Sequence, residues 1–217
     1  MKWPAEFLTR MQSYFGNDFD TFLEGLSKPA PVSIRMNERK AIRQFENCKS
    51  IPWSRSGFYL EERPSFTLDP LFHAGCYYVQ EAGSQFLEQL FLHAIKEKEE
   101  PIVLDLCAAP GGKSTHLLSL MNGSGLLVSN EVISSRNKVL QQNIAKWGFA
   151  NSIVTQNDSS DFGKAGELFD VIVVDAPCSG EGLFRRDPNA ANEWSETAVI
   201  ACSVRQQEIL DNIHLAL

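Results

Sequence analysis

Apolar residues fall at helical spacing twice near the start of the chain. Phe7, Leu8, Met11 and Phe15 share one face of PAEFLTRMQSYFG, and Phe19, Phe22, Leu23 and Leu26 share one face of FDTFLEGLSK. Pro29 and Pro31 close the second helix, and PVSIRMNERK then reads as a strand entering a basic turn. This pattern predicts a small α+β module over residues 1–65. Residues 61–75, rich in proline and turn formers, read as the linker to a second domain over 66–217. That domain opens on YYVQEAGSQFLEQLFLHAIKEK (77–98), whose apolar stripe predicts one helix ending in a charged run.

From there strands and helices alternate. IVLDL (102–106) reads as a buried strand, and GLLVSNE (125–131), SIVTQND (152–158) and FDVIVVDAP (169–177) read as strands. KSTHLLSLM (113–121), SSRNKVLQQNIAKWG (134–148) and SVRQQEILDNIHLAL (203–217) read as helices. Such alternation predicts parallel pairing and a doubly wound α/β sheet, with ligands at the carboxyl ends of its strands. A full sheet of this kind has more strands than the four in this series, so the expectation is a domain truncated at its C-terminal end.

The formal charge of −7 argues against strong nonspecific nucleic-acid binding, which depends on Lys and Arg releasing counterions. Any such contact must be local. Cys48, Cys76, Cys107, Cys178 and Cys202 are far apart, with no Cys-x-x-Cys and no Cys/His cluster, so no metal site is expected and free thiols fit a reducing compartment. No signal peptide and no membrane-length apolar run occur, and a cytoplasmic location is expected.

The candidate chemistry sits at the four strand ends. The first strand ends in Asp105 and runs through CAAPGGKS, a Gly-Gly turn at a helix N-terminus, where exposed N–H groups favour a carboxylate. A phosphate-binding P-loop needs glycine where Cys107 stands, and the dinucleotide fingerprint needs glycines spaced apart, whereas Gly111 and Gly112 are adjacent. Glu131 ends the second strand, where an acidic residue takes ribose hydroxyls in a doubly wound fold. Asp158 and Asp175 end the third and fourth. An aspartate at a strand end is more often a cap or turn former than a ligand; the signal lies in acidic residues at successive strand ends.

DLCAAPGGKS, the spacing of Asn130, Glu131 and Arg136, and above all DAPCSGEGLFRRDP (175–188) resemble the Nol/Nop/Sun family of RNA 5-methylcytosine methyltransferases, on its bacterial ribosomal RNA side. The resemblance covers roughly residues 30–217, most strongly 102–188, and PVSIRMN and YYVQEAGSQ are similar to the family's N-terminal module and lead-in helix. It implies a Rossmann-like S-adenosylmethionine-dependent methyltransferase fold, in which Cys107, Ala108, Ala109, Pro110, Gly111, Gly112, Lys113, Glu131, Arg136, Asp158 and Asp175 hold S-adenosylmethionine. It also implies an RNA substrate, ribosomal RNA first, and a monomer is expected. Read from residue type alone, Arg136 is equally a solvated helix-face residue and Lys113 a solvated first-turn lysine.

Cytosine C5 is a poor nucleophile, so its methylation needs a thiolate that adds to C6 and a base that later removes the C5 proton. Cys178, after Pro177 at the fourth strand end, is the candidate thiol, with Asp175 and Lys113 as further catalytic candidates. In DNA cytosine methyltransferases the cysteine after the proline is itself the nucleophile. In the RNA family it resembles, that cysteine helps release product, and the nucleophile lies in a later Thr-Cys motif. No Thr-Cys dipeptide occurs here, so the resemblance puts the main nucleophile beyond Leu217, at the end of a next strand. The expectation is a chain that holds cofactor residues without methylating by itself. Gly180 and Gly182 suit a flexible loop closing over a base, with Arg185 and Arg186 free to meet phosphates. Arg35, Arg39, Lys40 and Arg43 form a second basic patch on an RNA-binding N-terminal module. The alternative is a noncatalytic ribosome-assembly factor that retains the fold. A methyltransferase acting on protein or a small molecule would not need the Pro-Cys pair.

Overall fold

The structure, a computed structural model, describes residues 3–40, 45 and 47–217. Its elements in chain order are α1 (Ala5–Phe15), α2 (Phe19–Ser27), β1 (Val32–Met36), β2 (Lys49–Ser50), β3 (Gly57–Leu60), α3 (Pro70–His73), β4 (Tyr77–Val79) and α4 (Leu87–Ala94). These are followed by β5 (Ile102–Asp105), α5 (Gly112–Met121), β6 (Leu126–Asn130), α6 (Ser134–Trp147), β7 (Ser152–Thr155), α7 (Ser159–Gly163), β8 (Val171–Val173), α8 (Pro188–Glu193) and α9 (Glu196–Ile213).

Two compact units divide the chain. One comprises 1–30 with 177–211, and the other 31–176 with 212–217. The expected boundary at 65/66 falls inside the second unit. That unit holds both sheets. The first is antiparallel in the order β2-β3-β1-β4, and the second is parallel in the order β7-β6-β5-β8. β5 pairs on one side with β6 and on the other with β8, so chain order reverses there. In a doubly wound fold that reversal is where a ligand crevice opens.

The apolar periodicity explains the core. Val103, Leu117, Leu118, Leu127, Leu140 and Trp147 are buried together with Phe91 from α4. Two ends are set by left-handed residues: α5 stops at Asn122 (φ 51°) and α6 at Gly148 (φ 90°). In the other unit Phe7, Phe184 and Ala191 are buried, with Trp3 stacked on Phe184 at 5.7 Å and Phe7 edge-on to it at 5.0 Å.

Three readings of the sequence are corrected. Residues 77–98 are not one helix: Tyr77–Val79 form β4, paired with β1 in the register Ile34↔Val79 to Met36↔Tyr77, and α4 begins only at Leu87. The bulky Tyr-Tyr-Val run suits a strand, and a partner strand elsewhere in the chain overrides the helical stripe. Residues 61–75 are not a bare linker either. Phe66 is buried against Phe72 and Tyr77, and α3 is started by Asp69, which accepts from the Leu71 N–H at 2.9 Å. The last helix spans Glu196–Ile213 rather than 203–217. It gives way to a tight turn at His214–Ala216, whose Ala216 carbonyl accepts the Leu168 and Phe169 N–H groups at 3.0 and 2.9 Å. Leu217 follows that turn outside the helix and is exposed.

Gly125 connects α5 to β6 at φ 65°, and a Cβ there would lie 2.1 Å from the Pro101 carbonyl oxygen, which accepts the Leu126 N–H at 3.0 Å. Gly125→Ala is therefore expected to lower unfolding free energy by about 2 kcal/mol or more, from the left-handed penalty and the broken β5–β6 junction. Urea unfolding of the two proteins measures it, and equal midpoints would contradict the assignment.

Candidate functional site

β5 delivers Asp105 to the carboxyl edge of the parallel sheet, and the chain turns into α5 through Gly111 at φ 106°. A side chain there would be strained by conformation alone, and its Cβ would sit 3.2 Å from Leu140 Cδ1 on α6. A Cβ on Gly112 would lie 3.3 Å from Tyr78 Cε1 on β4. The two glycines thus serve the packing of the turn between α6 and β4.

The turn cannot pair all its own carbonyl groups. Ala108 O accepts the Gly111 N–H at 2.7 Å and Gly111 O accepts the Thr115 N–H at 2.9 Å. Three others take side-chain donors. Ala109 O accepts from Arg136 at 2.9 Å, Pro110 O from Asn143 at 2.8 Å and Tyr78 at 3.3 Å, and Leu106 O from Asn130 at 3.1 Å. Asn130 is buried at the end of β6 and also bonds Asn157 N and O at 2.8 and 3.0 Å, so one amide ties three strand ends together. Asn137 on α6 adds Glu131 O at 3.1 Å and Thr155 O at 2.6 Å. With the carbonyls held, the first-turn N–H groups of α5 stand at the positive end of the helix dipole.

Acidic groups gather around this turn. Asp105 is fully buried; its Oδ2 accepts from Ser114 at 2.6 Å while its Oδ1 has no partner among the described residues. Burial raises its carboxyl from the ordinary 3.8 to about 6, with the Asp175 charge adding to the effect against Ser114 and Lys113. Glu131 is buried, and its carboxylate is fixed by the Ile133 N–H at 2.9 Å and by Arg136 at 3.1 Å. Asp175 is exposed beyond β8 and ion-paired to Lys113. Burial and then the charges of Asp105, Glu131 and Asp175 push the Cys107 thiol up to about 11. The contacts of Asp105 with Ser114, of Asp175 with Lys113, and of Glu131 through Arg136 with Ala109 place all three carboxylates around this turn.

The expected site residues are therefore placed as follows. Cys107 through Lys113, Glu131, Arg136 and Asp175 surround one turn. Arg136 lies on an exposed helix face but is engaged: it clamps Glu131 to Ala109. Asp158 lies at the carboxyl end of β7, exposed, where it caps α7 through the Ser160 N–H at 3.0 Å. Cys178 is exposed and belongs to the unit of residues 177–211. Cys202 is half-buried on α9. Leu217, the landmark past which the nucleophile was expected, is itself an exposed apolar residue with no group that could bind or react, and it takes no place in the site.

The basic and loop readings need correction. Arg35 is buried, Arg39 covers Phe149 at 4.0 Å and donates to Asn122 O at 3.2 Å, and Lys40 donates to Ala74 O and Lys146 O at 2.7 and 2.6 Å. These three join the N-terminal sheet to the parallel-sheet layer instead of forming an open patch, because cations beside chain ends find carbonyl acceptors. Arg43 lies outside the described residues. Arg185 is likewise engaged, donating to Lys28 O and Pro29 O at 3.2 and 2.9 Å, while Arg186 is exposed. The Gly180–Gly182 loop is pinned: Glu181 is ion-paired to Arg10 and accepts from Trp194 at 2.8 Å, next to buried Phe184. The side-chain donors Asn130, Asn137, Asn143 and Tyr78 were not legible as site residues, save that Asn130 stands in the Asn-Glu pair.

Residues 92–217 match the family model described as 16S rRNA methyltransferase RsmB/F, and residues 3–82 match the N-terminal domain of 16S rRNA methyltransferase RsmF. The chain belongs to the RsmB/F family of 16S rRNA methyltransferases. Within that family it is similar to ribosomal RNA small subunit methyltransferase F of Shewanella loihica, at 37% identity over 214 residues, 91% of this chain and 43% of that protein. Its counterpart in Salmonella paratyphi B is 36% identical over 233 residues, 99% of this chain and 48% of that protein. The chain thus spans about half the length of these curated relatives. A methyltransferase homolog protein from Pyrococcus horikoshii has the same fold, with a TM-score of 0.77 and 29% identity over 97% of this chain and 68% of that one.

Because folding raises the Asp105 carboxyl above its unfolded value, the folded state favours the protonated form. The stabilisation is complete below about pH 4 and is lost as pH rises through about 6. Relative to Asp105→Asn, the wild-type chain should lose stability between pH 4 and pH 7, by a few kcal/mol at about 1.4 kcal/mol per unit. Denaturant titrations at several pH values read this directly, and parallel pH curves would contradict it.

Proposed function

We propose that this chain builds the S-adenosylmethionine wall of an enzyme that methylates cytosine C5 in ribosomal RNA. The observation that carries the reading is the placement of Asp105, Glu131 and Asp175 around the glycine turn that opens α5, through Ser114, Arg136 and Lys113. An acidic cluster suits the cationic sulfonium and ammonium groups of the cofactor. The first-turn N–H groups of α5 suit its carboxylate, and Glu131, fixed by Ile133 and Arg136, suits its ribose hydroxyls. Asp158 is assigned to the adenine amino group. When bound, the cofactor supplies the electrophilic methyl group.

The chain's own residues then hold the base. Asp175 accepts from the cytosine amino group, and Lys113, paired with it, steadies that carboxylate. The methylation itself needs a thiolate to add to C6, C5 to take the methyl group, a base to remove the C5 proton, and the thiol to be eliminated. Cys107 is unsuited, since its surroundings hold it protonated at about 11. Cys178 is assigned to product release, and the thiol that adds to C6 is not one of the five cysteines here. The target cytosine must leave its stack to reach such a site, which favours unpaired RNA.

Isothermal titration of the 217-residue chain with S-adenosylmethionine should give binding, weakened roughly tenfold or more in Glu131→Ala by loss of charge-assisted hydrogen bonds. No binding heat would favour the noncatalytic assembly-factor reading. Incubated with 16S rRNA and labelled cofactor, the same chain should transfer no methyl group. Transfer that Cys178→Ala abolishes would make Cys178 the nucleophile and overturn the division of roles.

A further inference from the structure

Arg35 presents a cation with no exposed surface, in the middle of β1. Burying a charge is costly unless its hydrogen bonds are met, and apolar residues of similar volume often stabilise a core as well. Among the described residues Arg35 has no carboxylate in contact; its acceptors are the Gln80 side chain at 2.8 Å and groups of α5, the Ser119 hydroxyl at 3.5 Å among them. Its guanidinium donates to Gly112 O at 3.2 Å, to Thr115 O at 3.4 Å and to Thr115 Oγ1 at 2.6 Å, and it lies over the Trp147 ring at 4.5 Å.

The consequence runs through Thr115. Its hydroxyl oxygen accepts from Arg35, so its proton is left for Gly111 O at 2.7 Å, with Gly112 O the more distant acceptor at 3.1 Å. Gly111 C=O and Gly112 N–H belong to one peptide plane and point opposite ways. Holding that oxygen inward aims the Gly112 N–H outward. The bond from Arg35 to Gly112 O does the same for the Lys113 N–H. Gly111 is at φ 106°, a conformation that its neighbours in the chain do not impose, so the orientation of these peptides depends on the groups that hold them.

We infer that Arg35 is a positioning residue for the cofactor site: from the N-terminal sheet, directly and through Thr115, it orients the Gly112 and Lys113 N–H groups that receive the cofactor's carboxylate. The inference rests on the reading of this turn as the S-adenosylmethionine site. It makes the antiparallel sheet part of the cofactor site and takes Arg35 out of any RNA-contacting patch.

The test uses Arg35→Gln, Thr115→Val, which removes the hydroxyl between Arg35 and the Gly111 and Gly112 carbonyls but keeps the guanidinium, and Ile34→Ala, which weakens the same strand from the opposite face of the sheet. Two quantities are read at a temperature where each variant is folded: the amide chemical shifts of Gly112 and Lys113 without ligand, and the dissociation constant for S-adenosylmethionine. Arg35→Gln and Thr115→Val should move both amide resonances and weaken binding by roughly tenfold, the effect of losing a hydrogen bond to a charged group. Ile34→Ala should leave both amides in place and the dissociation constant within about twofold, although it unfolds more readily. Wild-type binding with amides and affinity unchanged in Thr115→Val and Arg35→Gln overturns the inference. Absence of wild-type binding instead overturns the cofactor reading beneath it, a result distinguishable from the first.

Discussion

A turn that offers its N–H groups to a ligand leaves carbonyl groups that no regular ladder can pair, and buried carbonyls must find donors. The turn from Leu106 to Gly112 meets this demand with side chains from four directions. Arg136 and Asn143 come from α6, Asn130 from the end of β6, Tyr78 from β4 and Arg35 from β1. Much of the remaining structure follows from where those donors must stand. α6 has to pack within reach of the turn, which Gly111 permits by having no Cβ. The antiparallel sheet has to lie against α5, which Gly112 permits beneath Tyr78.

The same demand explains why the two sheets form one unit. Arg35 reaches α5 from β1; Asn37, just past β1, donates to Gly75 O at 3.0 Å and Trp147 O at 2.9 Å. A second strut runs beside these. Glu88 on α4, almost wholly buried, accepts from the Arg55 N–H at 3.2 Å and is bonded to His116 on α5 at 3.1 Å. Burial lowers the His116 pKa to about 4, so the imidazole is neutral at physiological pH and the strut is a hydrogen bond rather than an ion pair. Basic residues that would suit an RNA-binding face are spent on holding the layers together, in keeping with a chain whose formal charge is −7.

The parallel layer was legible because short apolar strands and helical segments alternate between 102 and 173. The turn was legible because Gly111 and Gly112 follow a strand and open a helix. What escaped was long-range. Tyr77–Val79 sits inside a helical stripe and becomes a strand only because β1 lies ready to pair with it. Arg35 and Lys40 read as a charge run, since nothing local tells a solvated cation from one whose acceptors lie at residues 112–115 or 146. Gly180 and Gly182 read as looseness, and the Glu181 ties to Arg10 and Trp194 that pin the loop are set by tertiary packing. The acidic strand ends were found by position alone; that Glu131 is held rigid by Arg136 was visible only in three dimensions.

If residues 106–113 hold the cofactor, their turn already has its binding conformation before any ligand arrives. Crystal structures of the chain with and without S-adenosylmethionine test this most directly. The ligand's carboxylate should lie at the first-turn N–H groups of α5, with the backbone of residues 106–113 moving by less than about 1 Å, as in other preorganised sites. A ligand bound elsewhere, or a turn that rearranges by more than about 2 Å with Arg136 and Arg35 leaving their carbonyl partners, would contradict it.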